Sequence, residues 1–327
     1  MQDDLKANKG LPVLAVDIGG SKILTAIFSE SGEMKSRKVT PTEADEGVAA
    51  VIQRLNRAIS EHLEEDNIEA AGLAGIGIAC AGGIDTERGV VVTPSPNLPD
   101  WYNVPLREEI EKRFGAPTAV LNDANAAALG EQRFGAGRGK KHLVLLTLGT
   151  GIGGGIVIDG KLYQGVCGAA GELGHMTVDE SGPACGCGNT GCLEMLASGR
   201  AIAREAARRI NAGEKSLLTG DITAEKVAIA AKEGDTLAKE VIGGAAHYLG
   251  VGLVNIVNIF SPEMIVLGGG MAEIGEILLG PAKELVKKRA FGISARAVEI
   301  VTAQLGNEAG VYGAAAYARE SIIRRTG

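Results

Sequence analysis

Residues 142–165 read HLVLLTLGTGIGGGIVIDGKLYQG: an apolar run, a glycine-rich turn, a second strand-like run and a polar turn at Asp159-Gly160. Gly149, Gly151 and Gly154 satisfy G-x-G-x-x-G after a strand, the dinucleotide-binding pattern. That pattern needs a helix to begin at its last glycines, so that the helix N-terminus can hold a pyrophosphate. Here GGIVIDG has strand character and ends in a turn, which argues against a Rossmann site. Residues 11–34, LPVLAVDIGGSKILTAIFSESGEM, repeat the plan, with their polar turn at Ser31-Gly32. Asp17-Ile18-Gly19-Gly20-Ser21 falls over Thr147-Leu148-Gly149-Thr150-Gly151. Two similar hairpins in one chain predict two related domains facing each other. Glycine turns leave backbone N–H groups unhindered, so the pair together favours phosphate held from two sides. A Walker A loop is absent; GAGRGKK at 135–141 lacks its spacing and its hydroxyl.

The remainder reads as α/β. Residues 44–65 carry Val48, Val51, Ile52, Leu55 and Ile59 at helical spacing. AGLAGIGIAC (71–80) is a buried strand, VPLREEIEKRF (104–114) a helix, and APTAVLND (116–123) a strand running into a helix over 124–135. Asp123 thus stands where a strand yields to a helix, a seat for an ordinary N-cap and equally for a catalytic carboxylate. Helices follow over 203–213, 223–234 and 235–260, then a strand entering glycines at 262–271 and a closing helix over 308–325.

Residues 171–194, GELGHMTVDESGPACGCGNTGCLE, place His175, Cys185, Cys187 and Cys192 at the spacing H-x9-C-x-C-x4-C. Three thiolates and one imidazole make a closed tetrahedral zinc set with no open position for water, the pattern of a structural site. Gly182, Gly186, Gly188 and Gly191 let the backbone turn tightly enough for the sulfurs to converge. The segment also carries Glu172 and Glu194 beside the metal ligands. Cys80 and Cys167 lie in apolar or glycine-rich surroundings and read as ordinary small residues.

Bulk properties exclude several classes. A chain of 327 residues is long for one core, so two domains are expected. Net charge is −7 and basic residues cluster no further than pairs such as Lys140-Lys141 and Arg324-Arg325, which argues against nucleic acid. No apolar run approaches the roughly 18 residues of a membrane span; VGLVNIVNIF is broken by Asn255 and Asn258. MQDDLKANKG lacks the apolar core of a signal peptide. Five cysteines, three of them in the zinc pattern, fit a reducing compartment, so the expectation is a cytoplasmic protein.

These motifs resemble the sugar kinases of the ROK family, and the similarity runs from Leu11 to the final helix. DIGGSK resembles the first phosphate loop, with Ser21 where threonine is commoner, and LGTGIGGG the second. Asn122-Asp123 resembles the catalytic pair, GELGH with CGCGNTGCLE the zinc segment, and LGGGM (267–271), with Gly269 and Gly270, the adenosine-contacting turn. SPNLPDW (95–101) resembles a sugar-side loop, with Asp100 where the family often has glycine, and the turn at Ala81-Gly82-Gly83-Ile84-Asp85 lacks the usual leading proline.

The resemblance implies a two-domain actin-like ATPase fold, ribonuclease H-like, with a zinc-stabilised loop. Its small domain would comprise 1–121 with 305–327 and its large domain 122–304. It implies ATP-dependent phosphorylation of a hexose at the 6-hydroxyl, glucose foremost, with N-acetylmannosamine, N-acetylglucosamine or fructose as alternatives. Mg²⁺-ATP would lie between the domains, its phosphates on Gly19, Gly20, Ser21, Thr150 and Gly151, with Lys22 offsetting charge and Asp17 holding the hydrated magnesium. Asp123 would be the general base. Asn97, Asn122, Glu172, His175 and Glu194 would bind the sugar, His175 using one ring nitrogen for zinc and the other for a sugar oxygen. Homodimers or homotetramers are expected. The family also includes sugar-sensing repressors, but these carry a helix-turn-helix domain before the first loop, where only sixteen residues precede Asp17 here.

Overall fold

Apolar run, glycine turn and alternating run become a β-hairpin: β1 (Val13–Ile18) pairs antiparallel with β2 (Lys22–Phe28), setting Asp17 opposite Leu24 and Ile18 opposite Ile23. The computed structural model describes residues 10–93, 95 and 97–326, with side chains to 321. The N-terminal run 1–9, Pro96 of the sugar-side loop and the Arg324-Arg325 side chains lie outside the described residues. The chain folds as two units. One runs through Gly139, takes in Lys161–Ala170 and resumes at Asn307; the other comprises Lys140–Gly160 and Gly171–Gly306.

In the first unit, β3 (Met34–Pro41) extends the hairpin as an edge strand with Lys35 and Arg37 exposed, charges that discourage further strand pairing. α1 (Val48–Glu65) then buries Val51, Leu55, Ile59 and Leu63 at helical spacing. β4 (Gly75–Cys80) lies parallel to β1 and is buried throughout. β5 (Ile84–Asp85) and β6 (Val90–Val91) form a small hairpin. α2 (Leu106–Phe114) follows, then β7 (Thr118–Asn122), parallel to β4, and α3 (Asp123–Phe134). The sheet order is β3-β2-β1-β4-β7. Successive β1 residues enter different cores, Leu14, Val16 and Ile18 the one with α1, and Val13 and Ala15 the other. Period-2 alternation therefore puts Asp17 on the Val13–Ala15 side.

The second unit repeats the device. β8 (Leu143–Leu148) and β9 (Ile152–Ile158) pair antiparallel, with Leu148 opposite Ile152 and Thr147 opposite Gly153. Thr147 thus occupies the hairpin position that Asp17 holds in the first unit. The short β10 (Lys161–Leu162) opens the segment that groups with the first unit. Then come α4 (Leu193–Ala197), α5 (Gly199–Asn211), α6 (Ala224–Lys232), α7 (Thr236–Phe260), β11 (Met264–Gly268), α8 (Glu276–Arg289), α9 (Gly292–Ala297) and β12 (Glu299–Thr302). Within this unit the strands lie β9-β8-β11-β12, with β11 parallel to both β8 and β12. That is the arrangement of β2-β1-β4-β7. α10 (Ala309–Thr326) returns to the first unit, where Val311, Ala314 and Ala318 enter the core beneath Val13 and Ala15.

Two expectations need adjustment. α3, placed in the large domain on sequence, groups with the first unit because it packs along α10. α7, at 25 residues, is long and apolar enough by composition to span a membrane, since Asn255 and Asn258 do not interrupt a helix. Its Leu249, Leu253, Ile256 and Val257 are fully buried in the core of the second unit.

Candidate active site

The two hairpin turns share one hydrogen-bonding scheme. In the first, Gly19 N–H donates to the Lys22 carbonyl (3.0 Å), while Thr42 draws off the turn's carbonyls: its hydroxyl donates to Gly19 O (2.7 Å) and its N–H to Ser21 O (3.1 Å). In the second, Gly149 N–H donates to Gly151 O (2.9 Å), and the start of α5 takes the carbonyls, Gly199 N–H donating to Gly149 O (2.8 Å) and Arg200 N–H to Thr150 O (3.4 Å). Among the described residues, no acceptor pairs with the amides of Gly20, Ser21, Thr150 or Gly151. Carbonyls turned into the scaffold and two adjacent N–H groups left over make each turn an anion seat.

In the first unit, Asp17 and Asp123 sit close enough for their charges to interact. Burial pushes the Asp17 carboxyl up to about 7, the Asp123 charge adds to the rise, and Lys22 opposes it. Gly310, in the first turn of α10, leaves room for the Asp17 carboxylate; a Cβ there would collide with Oδ2. Two carboxylates crowded this way create a demand for a cation.

The α3 cap differs from the sequence reading. Asn122 is the N-cap, its Oδ1 accepting from Ala124 N–H (2.9 Å) and Asn125 N–H (3.1 Å), and Asp123 is the first helical residue. Asn122 Nδ2 donates to Gly82 O (3.0 Å), tying the end of β7 to the turn at 81–85. Asp123 Oδ1 accepts from Ala124 N–H (2.8 Å). In the sugar-side loop, exposed Asn97 rests its backbone on Gly20, whose Cβ, if present, would fall 2.5 Å from Asn97 O. Asp100 has φ +58°, the left-handed region glycine fills most easily and Asp tolerates. Trp101, buried beneath the loop, donates its indole N–H to Cys80 Sγ (3.0 Å).

In the second unit, His175, Cys185, Cys187 and Cys192 bring four potential ligand atoms within 4.8 Å of one another. Cys187 and Cys192 sulfurs are 3.7 Å apart, and Cys185 Sγ lies 3.6 Å from His175 Nδ1. Tetrahedral zinc with ordinary bond lengths would need about 3.8 Å between sulfurs and about 3.5 Å from sulfur to nitrogen. These two distances and the chemistry of the donor set fit zinc, and the 4.8 Å span of the whole set would have to draw in slightly around the ion. His175 Nε2 faces away from the sulfurs, 3.9 Å from Glu172 Oε2. Glu194, in the first turn of α4, does not follow Glu172: its Oε2 accepts from Ile152 N–H (3.0 Å).

A cavity of about 900 Å³ opens beside the second turn, lined by Thr150, Arg200, Thr223, Glu225, Lys232 and Gly270 among others. Residues 13–321 match the ROK family.

The chain belongs to the ROK family.

The glucokinase of Thermotoga maritima is 40% identical over 318 residues, 95% of this chain and 98% of that protein. The xylose repressor of Caldicellulosiruptor bescii is 33% identical over 315 residues, 94% of this chain and 78% of that protein. A ROK family glucokinase from Streptomyces griseus, solved with glucose and AMPPNP, has a TM-score of 0.78 at 37% identity, covering 94% of this chain and 99% of that one. The mixed α/β architecture of this ROK chain accords with these relatives.

Sequence reasoning on this ROK chain singled out both turns, Asp17 and Asp123 as separate carboxylates, and the four metal-type ligands. It missed Thr42, which organises the first turn, and the cavity residues Arg200, Thr223, Glu225 and Lys232 on or beside α5 and α6. Helical periodicity signals which face is buried, and these residues lie off that face. No local signal marks them.

Proposed function

We propose that this ROK protein is an ATP-dependent glucokinase, transferring the γ-phosphoryl group to the 6-hydroxyl of glucose. The observation that supports this most strongly is the pair of turns whose paired N–H groups have no acceptor among the described residues. Phosphoryl transfer asks chiefly for positioning and charge neutralisation, which such seats supply. Gly19, Gly20, Ser21, Thr150 and Gly151 would hold the phosphates, Lys22 would offset their charge, and the cavity lined by Arg200, Thr223 and Gly270 would take the nucleoside, with Gly269 at its turn. Asp17 would orient magnesium's water shell, and the ion would neutralise charge on the nucleotide.

Asp123 would accept the proton of the 6-hydroxyl as that oxygen attacks phosphorus. The Asn122 cap fixes Asp123 at the helix start and leaves one Nδ2 hydrogen for a sugar oxygen. Asn97, Glu172 and His175 would bind further hydroxyls, with Glu194 nearby. His175, Cys185, Cys187 and Cys192 would hold zinc, which supplies stiffness to the loop. Ligation through Nδ1 leaves the Nε2 hydrogen of His175 free to donate. The cytoplasm, with its ATP and reduced thiols, fits this activity. Two intact anion seats favour catalysis over the repressor reading. A coupled ADP-release assay across glucose, mannose, fructose, N-acetylglucosamine and N-acetylmannosamine tests the proposal: glucose is expected to be the best substrate. Preference for an acetylated sugar would change the substrate, and no turnover on any hexose would defeat the kinase reading.

A further inference from the structure

We propose that Glu194 is a positioning residue for the second phosphate turn, and so links the cysteine–histidine segment to nucleotide binding. This rests on the reading of residues 149–151 as a nucleotide seat. Four observations carry it. Cys192 is the N-cap of α4, so Glu194 stands two residues from a metal-type ligand on a rigid helical turn. Its Oε2 accepts the Ile152 N–H at 3.0 Å, the first amide after the turn. The same oxygen lies against the Gly151 Cα, where a Cβ would collide with it. On the other side of Ile152, the His175-bearing turn closes in: a Cβ at Gly174 would strike the Ile152 carbonyl.

Ile152 is therefore gripped through its N–H by Glu194 and at its carbonyl by Gly174. The Gly149 and Thr150 carbonyls are held by α5. Within this turn the Thr150 and Gly151 amides are left without an acceptor among the described residues, and Glu194 decides their direction by fixing the residue that follows. Gly151 has an unremarkable φ, so its need for glycine is one of space, to admit the carboxylate. A charged acceptor holding a turn in its binding shape removes ordering that a ligand would otherwise have to impose. This role is additional to any contact Glu194 makes with sugar, and it acts when no sugar is present.

The experiment is calorimetric titration of zinc-loaded protein with Mg-AMPPNP in the absence of sugar. Glu194→Ala is expected to weaken binding by roughly tenfold or more, the scale of one charge-assisted hydrogen bond. Glu194→Gln keeps an oxygen for the Ile152 N–H and should stay within about threefold of wild type. Gly151→Ala, a second route to the same displacement, should weaken binding too. In the Glu194→Ala background it should add little, because the Cβ then fills the vacated space. Wild-type affinity in Glu194→Ala, or full additivity in the double variant, would overturn the inference alone. Wild-type protein that binds no nucleotide would overturn the inference and the kinase reading together.

Discussion

The backbone carbonyl of Asn97 occupies the space that a side chain at Gly20 would need, 2.5 Å from where its Cβ would stand. The turn at Gly19-Gly20-Ser21 and the loop that carries Asn97 are therefore closely packed within their unit.

Gly20→Ala must displace Asn97, so KM for sugar and for ATP should both rise, by about tenfold or more given how steeply positioning errors tell. Gly19→Ala meets only the Lys22 carbonyl at 3.3 Å and should be milder. Steady-state kinetics of the two variants side by side check this; equal effects would contradict it.

Trp101 is the chain's one tryptophan, and its indole donates to the Cys80 thiol under the same loop. Sugar binding at Asn97 should therefore change Trp101 emission, and the half-point of that change should track the sugar's Kd from calorimetry. Cys80→Ala should alter the starting emission while leaving the half-point within about twofold, since the lost bond is a single weak one.

Much of this site was legible because chemistry and spacing coincide locally. The hairpins at 13–28 and 143–158 announce themselves as apolar run, glycines and second strand, and the cysteine spacing at 185–192 points to metal by itself. Edge strand β3 has no apolar run because Lys35, Arg37 and Lys38 crowd its centre, and β12 has only four residues, too few to carry a pattern. The sequence leaves Asp123 open between N-cap and catalytic carboxylate because Asp and Asn cap equally well, and only the backbone shows that Asn122 is the cap. Thr42 on Gly19 and Glu194 on Ile152 are tertiary pairings across 23 and 42 residues, invisible to any local window.

Loss of the metal set should act on sugar binding. Cys187→Ser removes one thiolate from a four-ligand cluster, so zinc content by plasma mass spectrometry and glucose affinity should fall together. Adding zinc back should restore neither in the variant. Normal glucose affinity in zinc-free protein would separate the two.

Asp17 should impose a pH dependence on stability. Its folded pKa is raised from 3.8 to about 7, so between those values the folded state keeps a proton that the unfolded chain has released. Native stability from this group is thus full below about pH 4 and is lost as pH rises to about 7. In EDTA without nucleotide, Asp17→Asn should match wild-type Tm near pH 4 and exceed it near pH 8, where the stability difference is on the order of a few kcal/mol. A Tm difference independent of pH would contradict the assignment.

The role of Asp123 as general base is tested by comparing wild type with Asp123→Asn in the presence of Mg-ATP, measuring glucose affinity by calorimetry and turnover by coupled ADP release. Glucose Kd is expected to stay within about threefold of wild type while kcat falls by roughly 10²- to 10⁴-fold, the range for loss of a general base. Wild-type turnover in Asp123→Asn, or loss of glucose binding equal to the loss of rate, would contradict it.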